Sequence, residues 1–201
     1  MKETPMAPVG RPRSDASHAA ILKATYELLQ EEGLARLTLD KVASRAGASR
    51  STLYRWWPSR GAIAMEATLD TINREMSLEP KSDNALAEYR RLLKSVARGM
   101  RGSTGTILAG ILAECQRDPE TLRLFKEKLV APRRAEVVPL LERGIKDGSI
   151  RPTIAPHTIL DMTFGAIFHQ LLLHIPTDDD WMDGVIDILV NGIAAKPQSG
   201  G

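Results

Sequence analysis

The stretch LTLDKVASRAGASRSTLYRWWPSR, from Leu37 to Arg60, leaves the chain few choices of fold. Thr38 is placed to cap a short helix whose apolar positions Leu39, Val42, Ala43 and Ala46 share one face at helical spacing. Gly47 and Ala48 then predict a tight turn, because glycine takes the left-handed geometry that ends a helix at no steric cost. Ser49 can cap a second helix in which Leu53 points back at the first, leaving Arg50, Thr52, Tyr54 and Arg55 outside. Pro58 stops it, since the residue before a proline is pushed out of helical geometry. Two short helices around a glycine turn, the second polar and cationic at its N-terminal end, outline a helix-turn-helix with a major-groove reading helix.

Charge is distributed to match. Positions 11–60 carry nine Lys or Arg against five Asp or Glu, whereas positions 61–201 carry seventeen against nineteen. A basic first quarter on a slightly acidic remainder suits a polyanion-binding module followed by one with another task. No apolar run approaches the roughly 20 residues of a membrane helix, and the N-terminus lacks the apolar core of a secretory signal. A single cysteine, Cys115, excludes an intramolecular disulfide and a cysteine-rich zinc site. These features fit a cytoplasmic protein. Cys115 as a redox sensor is disfavoured, because no basic residue flanks it closely.

Residues 1–13 hold three of the twelve prolines and no periodic pattern, which predicts a flexible arm ending in Gly10-Arg11-Pro12-Arg13. That arm could lie along DNA or be an ordinary ragged terminus. A first helix is expected over Asp15–Glu32, with Ile21, Leu22, Ala24, Leu28 and Leu29 inward and Gly33 ending it. Domain boundaries follow: the arm at 1–13, a DNA-binding domain at 14–59, a helical regulatory and dimerisation domain at 60–195, and a tail at 196–201.

TLDKVASRAGASRSTLYRWWPSR, preceded by a helix ending in LLQEEG, resembles the DNA-binding domain of the TetR family of bacterial transcriptional regulators. The resemblance spans Arg13 to Ala67, with Gly33, Thr38, Val42, Ala43, Ala46-Gly47, Ser49, Leu53-Tyr54 and the aromatic pair in register. Farther on, CQRDPETLRLFKEKLVAPRRAEVVPLLERGIKDGSIRP is similar to the regulatory half of one branch of that family. The resemblance implies a repressor released from a palindromic operator by a small apolar or amphipathic effector. It also supports Tyr54 as a DNA contact and lets an aromatic at Trp56 touch the backbone.

The expected DNA-facing set is Thr38, Ser49, Arg50, Ser51, Thr52, Tyr54, Arg55 and Arg60. An arginine fork matches guanine O6 and N7, a phenol can pack on a sugar or thymine methyl, and a helix start favours phosphate oxygens. Trp56-Trp57 suits a core plug better than base stacking, because stacking serves unpaired bases and this motif reads duplex.

The remainder reads as helical: Arg60–Met76, a break at Pro80 with Ser82 or Asp83 as the next cap, Ala85–Met100, an interruption over Gly102 to Gly105, and then TILAGILAEC. A helix starting at Asp118-Pro119-Glu120 is bent or interrupted near Pro132 and Pro139 and ends at Asp147-Gly148. The fold class is all-α, a three-helix DNA-binding domain plus a helical ligand-binding and dimerisation domain. Helices over 156–175 and 179–194 are apolar on more than one face, which a small domain cannot cover alone. A second copy can, so a homodimer is expected, with Phe164, Phe168, Leu171, Leu172, Trp181, Val185, Ile186 and Leu189 at its interface.

Candidate effector contacts are Leu69, Met76, Tyr89, Met100, Phe125, Phe164, Phe168 and His169, with His169 also readable as a hydrogen-bonded core histidine. His157 and Asp161, one helical turn apart, could serve a base or half a metal site. No nucleophile motif, phosphate loop or third ligand accompanies them, so no enzyme, cofactor or metal is expected. An architectural DNA-binding protein without an effector is the other reading.

Overall fold

The computed structural model describes residues 15–75, 84–176 and 178–193. The N-terminal arm, Met76, Pro80, the caps expected at Ser82 or Asp83, and the C-terminal tail lie outside the described residues. Every regular element described is helical. In order they are α1 (Asp15–Glu32), a 3-10 turn (Leu34–Arg36), α2 (Leu39–Ala46), α3 (Arg50–Trp56), α4 (Arg60–Glu75), α5 (Ala85–Gly99), α6 (Ser103–Cys115), α7 (Pro119–Phe125), a π-helical turn (Lys126–Val130), α8 (Ala131–Lys146), α9 (Pro156–Leu172) and α10 (Asp179–Ile193). None of the described helices is long and apolar enough to cross a membrane.

Local chemistry sets most of these ends. Thr38 Oγ1 accepts from Lys41 N at 3.2 Å and Ser49 Oγ accepts from Thr52 N at 3.2 Å, capping α2 and α3. Gly47 sits at φ 62°, the left-handed conformation required between them. Asp118 caps α7 ahead of Pro119, and Asp147 and Gly148 close α8. Three details differ from expectation. Asn84, rather than either residue before it, caps α5, accepting from Ala87 N at 2.8 Å. α6 begins at Ser103, so Gly105 lies inside that helix and the break is only the turn from Met100 to Gly102. The irregularity near Pro132 is the π-helical turn just before it, while Pro139 is carried within α8.

Packing builds one continuous core. α1 lies across α2 and α4 and closes the head around Ile21, Leu28, Leu29, Leu34, Leu37, Val42 and Leu53, all buried. α4 leaves that head and packs on α6 and α7, while α5 packs on α8 and α10, and α9 on α6 and α8. The helix after α3 is therefore held by both halves of the chain.

Candidate nucleic-acid interface and effector cavity

The α3 cap fixes which way its side chains face. Leu53 is 0% exposed and anchors the inner face, while Tyr54 is 59% exposed and Arg50, Ser51 and Arg55 also face solvent. Ser49 Oγ shares hydrogen bonds with Ser51 Oγ at 3.0 Å and Thr52 Oγ1 at 2.8 Å, a short hydroxyl ridge at the helix start. Arg50 is 73% exposed at its side chain, and its Nε lies 3.0 Å from Asp40 Oδ1 on α2. Arg55 has no ion-pair partner among the described residues. Two other cations are bound to α1: Arg45 forks onto Glu31 at 2.7 and 2.8 Å, and Lys41 pairs with Glu32. Glu31 is held below the usual carboxylate range by its hydrogen bonds from Arg45. These pairs link α2 to α1 at the protein surface.

Arg60 corrects one expectation. Its Nε and Nη2 donate to Glu114 Oε1 and Oε2 at 3.1 and 2.8 Å, and Nη1 donates to the Ala35 carbonyl at 3.2 Å. The guanidinium faces α6 and the 3-10 turn, so its charge is satisfied within the chain instead of being presented outward. Trp57 is buried, donates from Nε1 to Glu66 Oε2 at 2.7 Å, and stacks on His18 at 5.5 Å between ring centroids. His18 Nε2 reaches the other Glu66 oxygen at 2.8 Å, and half-buried Trp56 meets Trp57 edge-on at 5.5 Å. The tryptophans thus join α3 to α1 and α4.

The C-terminal half holds a cavity of about 390 Å³ between α5, α6, α7, the π-helical turn, α8 and α9. Of the expected contacts, Tyr89, Met100, Phe125, Phe164 and Phe168 are on its wall. Leu69 and His169 are not. Leu69 packs against the core from α4, and His169 is exposed, because one residue past Phe168 turns it about 100° round the helix. Tyr89 is fully buried and its hydroxyl lies 2.6 Å from Thr163 Oγ1. Thr163 spends its own proton on the Ile159 carbonyl at 2.8 Å, so Tyr89 is the donor. Burial pushes the phenol pKa up to about 12, keeping it neutral.

Sequence reasoning missed the wall contributed by Lys126, Leu129, Val130, Arg133, Arg134 and Val137. With Leu122 and Phe125 these recur at alternating steps of three and one, a legible helical face obscured by its cations. A second missed group joins the two halves. Ser59 Oγ donates to Asp118 Oδ2 at 3.0 Å, and Thr121 Oγ1 donates to the same oxygen at 2.5 Å. A Cβ on Gly61 would lie 1.9 Å from Thr121 Oγ1, so α4 and α7 touch where no side chain fits. Cys115 is buried close by, and burial pushes its thiol up, which opposes thiolate chemistry.

On the outer side of α9 and α10, Met162, Leu172, Leu173, Ile175 and Ile188 are exposed, Ile188 at 75%. Leu171, Trp181, Val185 and Leu189 are half-buried. Ile186 does not belong with them. It is 2% exposed, on the inner face of α10. Phe164 and Phe168 face the cavity as well as this surface region, each half-buried. His157 and Asp161 share a third residue: Arg134 reaches His157 Nδ1 at 3.2 Å and pairs with Asp161. No cluster of three metal-ligating side chains occurs among the described residues.

Comparison with known proteins places these features. Residues 21–67 match the family model of bacterial regulatory proteins of the tetR family, and residues 79–189 match that of the tetracyclin repressor-like C-terminal domain. The chain is 31% identical over 183 residues to the HTH-type transcriptional regulator YdeS of Bacillus subtilis (strain 168), covering 90% of each protein. Among solved structures, the TetR family transcription regulator SCO0332 superposes with a TM-score of 0.73 at 30% identity, over 89% of this chain and 98% of that one. FadR of Bacillus subtilis in complex with stearoyl-CoA shares the fold, with a TM-score of 0.68 at 19% identity over 88% and 99%.

Proposed function

The chain belongs to the TetR family of DNA-binding transcriptional regulators, and on that premise we propose that it is a homodimeric repressor released from a palindromic operator by a small amphipathic effector. The observation that carries this reading is the orientation of α3, with Leu53 fully buried on one side and Arg50, Ser51, Tyr54 and Arg55 presented on the other. In the proposed complex Arg50 and Tyr54 contact bases or sugars in the major groove, while Thr38, Ser49, Ser51, Thr52 and Arg55 contact phosphates. Two such helices related by a two-fold axis meet half-sites about 34–36 Å apart, or a multiple of that.

The effector reading is supported by a cavity bounded by α7, whose N-terminal end holds Ser59 and abuts Gly61 at the start of α4. A molecule that spreads Leu122 and Phe125 acts on α7, and through it on the helix that follows the reading helix. FadR, whose structure contains stearoyl-CoA, supports a long amphipathic molecule as the class to try first.

Selection of bound fragments from genomic DNA, followed by footprinting, tests the core of this proposal. Arg50→Ala should weaken operator binding by about 10- to 100-fold, the equivalent of roughly 1–3 kcal/mol for one bidentate base contact, and change binding to random DNA far less. Equal losses on both would assign Arg50 to phosphate alone. Absence of any protected site would end the regulator reading for this chain.

A further inference from the structure

The charged and hydroxyl-bearing side chains on the cavity wall are already engaged or stand in water. Arg133 Nη2 donates to Asn73 Oδ1 at 3.0 Å and to the Ile72 carbonyl at 3.4 Å, and its Nη1 pairs with Glu136 at 3.1 Å. Arg134 reaches His157 Nδ1 at 3.2 Å and pairs with Asp161, the one carboxylate among the described lining residues. Tyr89 gives its only proton to Thr163 Oγ1 at 2.6 Å. Lys126 is exposed, so its ammonium is hydrated. The rest of the wall is apolar, with Leu93, Met100, Leu108, Phe125, Phe164 and Phe168 prominent on it. A charged group carried inside would lose its water and meet no unengaged ionic partner, whereas every CH₂ gains by leaving water. The interior selects an uncharged, apolar body.

The exposed members of the lining mark where such a body enters. They are Lys126 on the π-helical turn and Asp161 and Gly165 on α9. On α9 the lining positions Leu160, Asp161, Phe164, Gly165 and Phe168 share one helical face. Asp161 is bridged to α8 by Arg134, which closes that turn of the face. Gly165, one turn farther on, closes nothing: a Cβ there would meet no atom within 4 Å. Glycine inside a helix costs stability relative to alanine. Here it leaves a gap in the wall beside Phe164 and Phe168.

We propose, taking the effector reading of this cavity as given, that it reads only the uncharged apolar part of its ligand, which enters past Gly165 and leaves any polar head at the mouth in water. Calorimetric titration of the full chain tests this with two short series. Across hexanol, octanol and decanol, affinity should rise about fourfold for each added CH₂. Decanol, decanoate and decyltrimethylammonium, each below its micelle concentration, should bind within about fivefold of one another at about 0.15 M salt, because charges left in water at the mouth are screened.

Gly165→Leu, at an exposed helical position that leucine favours, should weaken decanol binding about tenfold or more, while Gly165→Ala binds decanol as the parent does. One head group favoured more than about tenfold over both others, no gain from hexanol to decanol, or no binding by any probe overturns the proposal. So does a Gly165→Leu chain that binds decanol as well as the parent. A leucine variant that loses operator protection together with decanol also overturns it, since Gly165 then serves a contact outside the cavity. Operator footprinting on the parent keeps the two readings apart. Protein that protects its operator but binds no probe remains a regulator with another effector, whereas protein that binds the probes and protects no DNA keeps the cavity and loses the regulator reading.

Discussion

Arg50 illustrates how one residue can be legible in type and not in state. Its position beside the Ser49 cap marks it for DNA, yet in the free chain its Nε rests 3.0 Å from Asp40 Oδ1. Both partners are substantially exposed, and such pairs contribute about 0–1 kcal/mol, so a phosphate or guanine can displace the carboxylate. Asp40 nonetheless places a negative charge close to the proposed DNA surface. Asp40→Asn should therefore raise affinity for random DNA a few-fold at low salt, with the gain shrinking as screening increases. A salt titration of binding measures this, and weaker binding by the variant would mean that Asp40 orients Arg50 in the complex. Arg60 is the contrary case. Nothing near it in the chain announces Glu114, fifty-four positions away, which takes both arms of its guanidinium.

At the scale of elements, α7 is one of the parts that join the halves. It has seven residues, begins on a capped proline turn, lines the cavity with Leu122 and Phe125, and meets α4 through Asp118 and Thr121. The Asp118 carboxyl is held below the usual carboxylate range, chiefly by the Thr121 hydroxyl and further by Ser59 and backbone N–H groups. A depressed folded-state pKa means the ionised form stabilises the fold. That contribution is present in full above the unfolded value near about 4 and is lost as pH falls through the lower folded value. Asp118→Ala should cost about 1 kcal/mol at neutral pH, typical of a lost N-cap, and its gap from the parent should narrow below about pH 4. Thermal melts at pH 7 and pH 3 check this; an unchanged gap would show that packing, not charge, is what the alanine removes. The π-helical turn after α7 continues the same wall, since it carries Lys126 and Leu129 onto it.

The whole molecule raises the question of what covers α9 and α10. Met162, Leu172, Leu173, Ile175 and Ile188 are exposed and Trp181, Val185 and Leu189 half-buried, on these two helices and the turn between them. In the proposed dimer these residues meet their copies, and the two-fold axis sets the spacing of the reading helices. Ile188→Asp, at a site with no role in the subunit's own core, should leave helix content intact and yield monomers at micromolar concentration. Operator affinity should then fall by an order of magnitude or more, because each head binds without the other's effective concentration, on the order of millimolar for a short connection. Sedimentation velocity reads the first effect and footprinting the second. A variant that stays dimeric would move the interface elsewhere on the surface.

What the sequence determined alone was everything that depends on neighbours within a few positions. Thr38, Ser49 and Asp118 as caps, Gly47 and Gly148 as terminators, and apolar steps of three and four specify where helices begin, stop and turn their greasy side. That was enough for an all-α fold and an outward-facing α3. The tertiary structure alone decided how each helix is rotated against the others. It put Ile186 inside and Ile188 outside on one apolar helix, aimed Arg60 at Glu114, turned His169 out of the cavity and brought Lys126 and Arg133 onto its wall. Those choices follow from contacts between segments far apart in the chain, and local spacing carries no record of which partner a helix will meet.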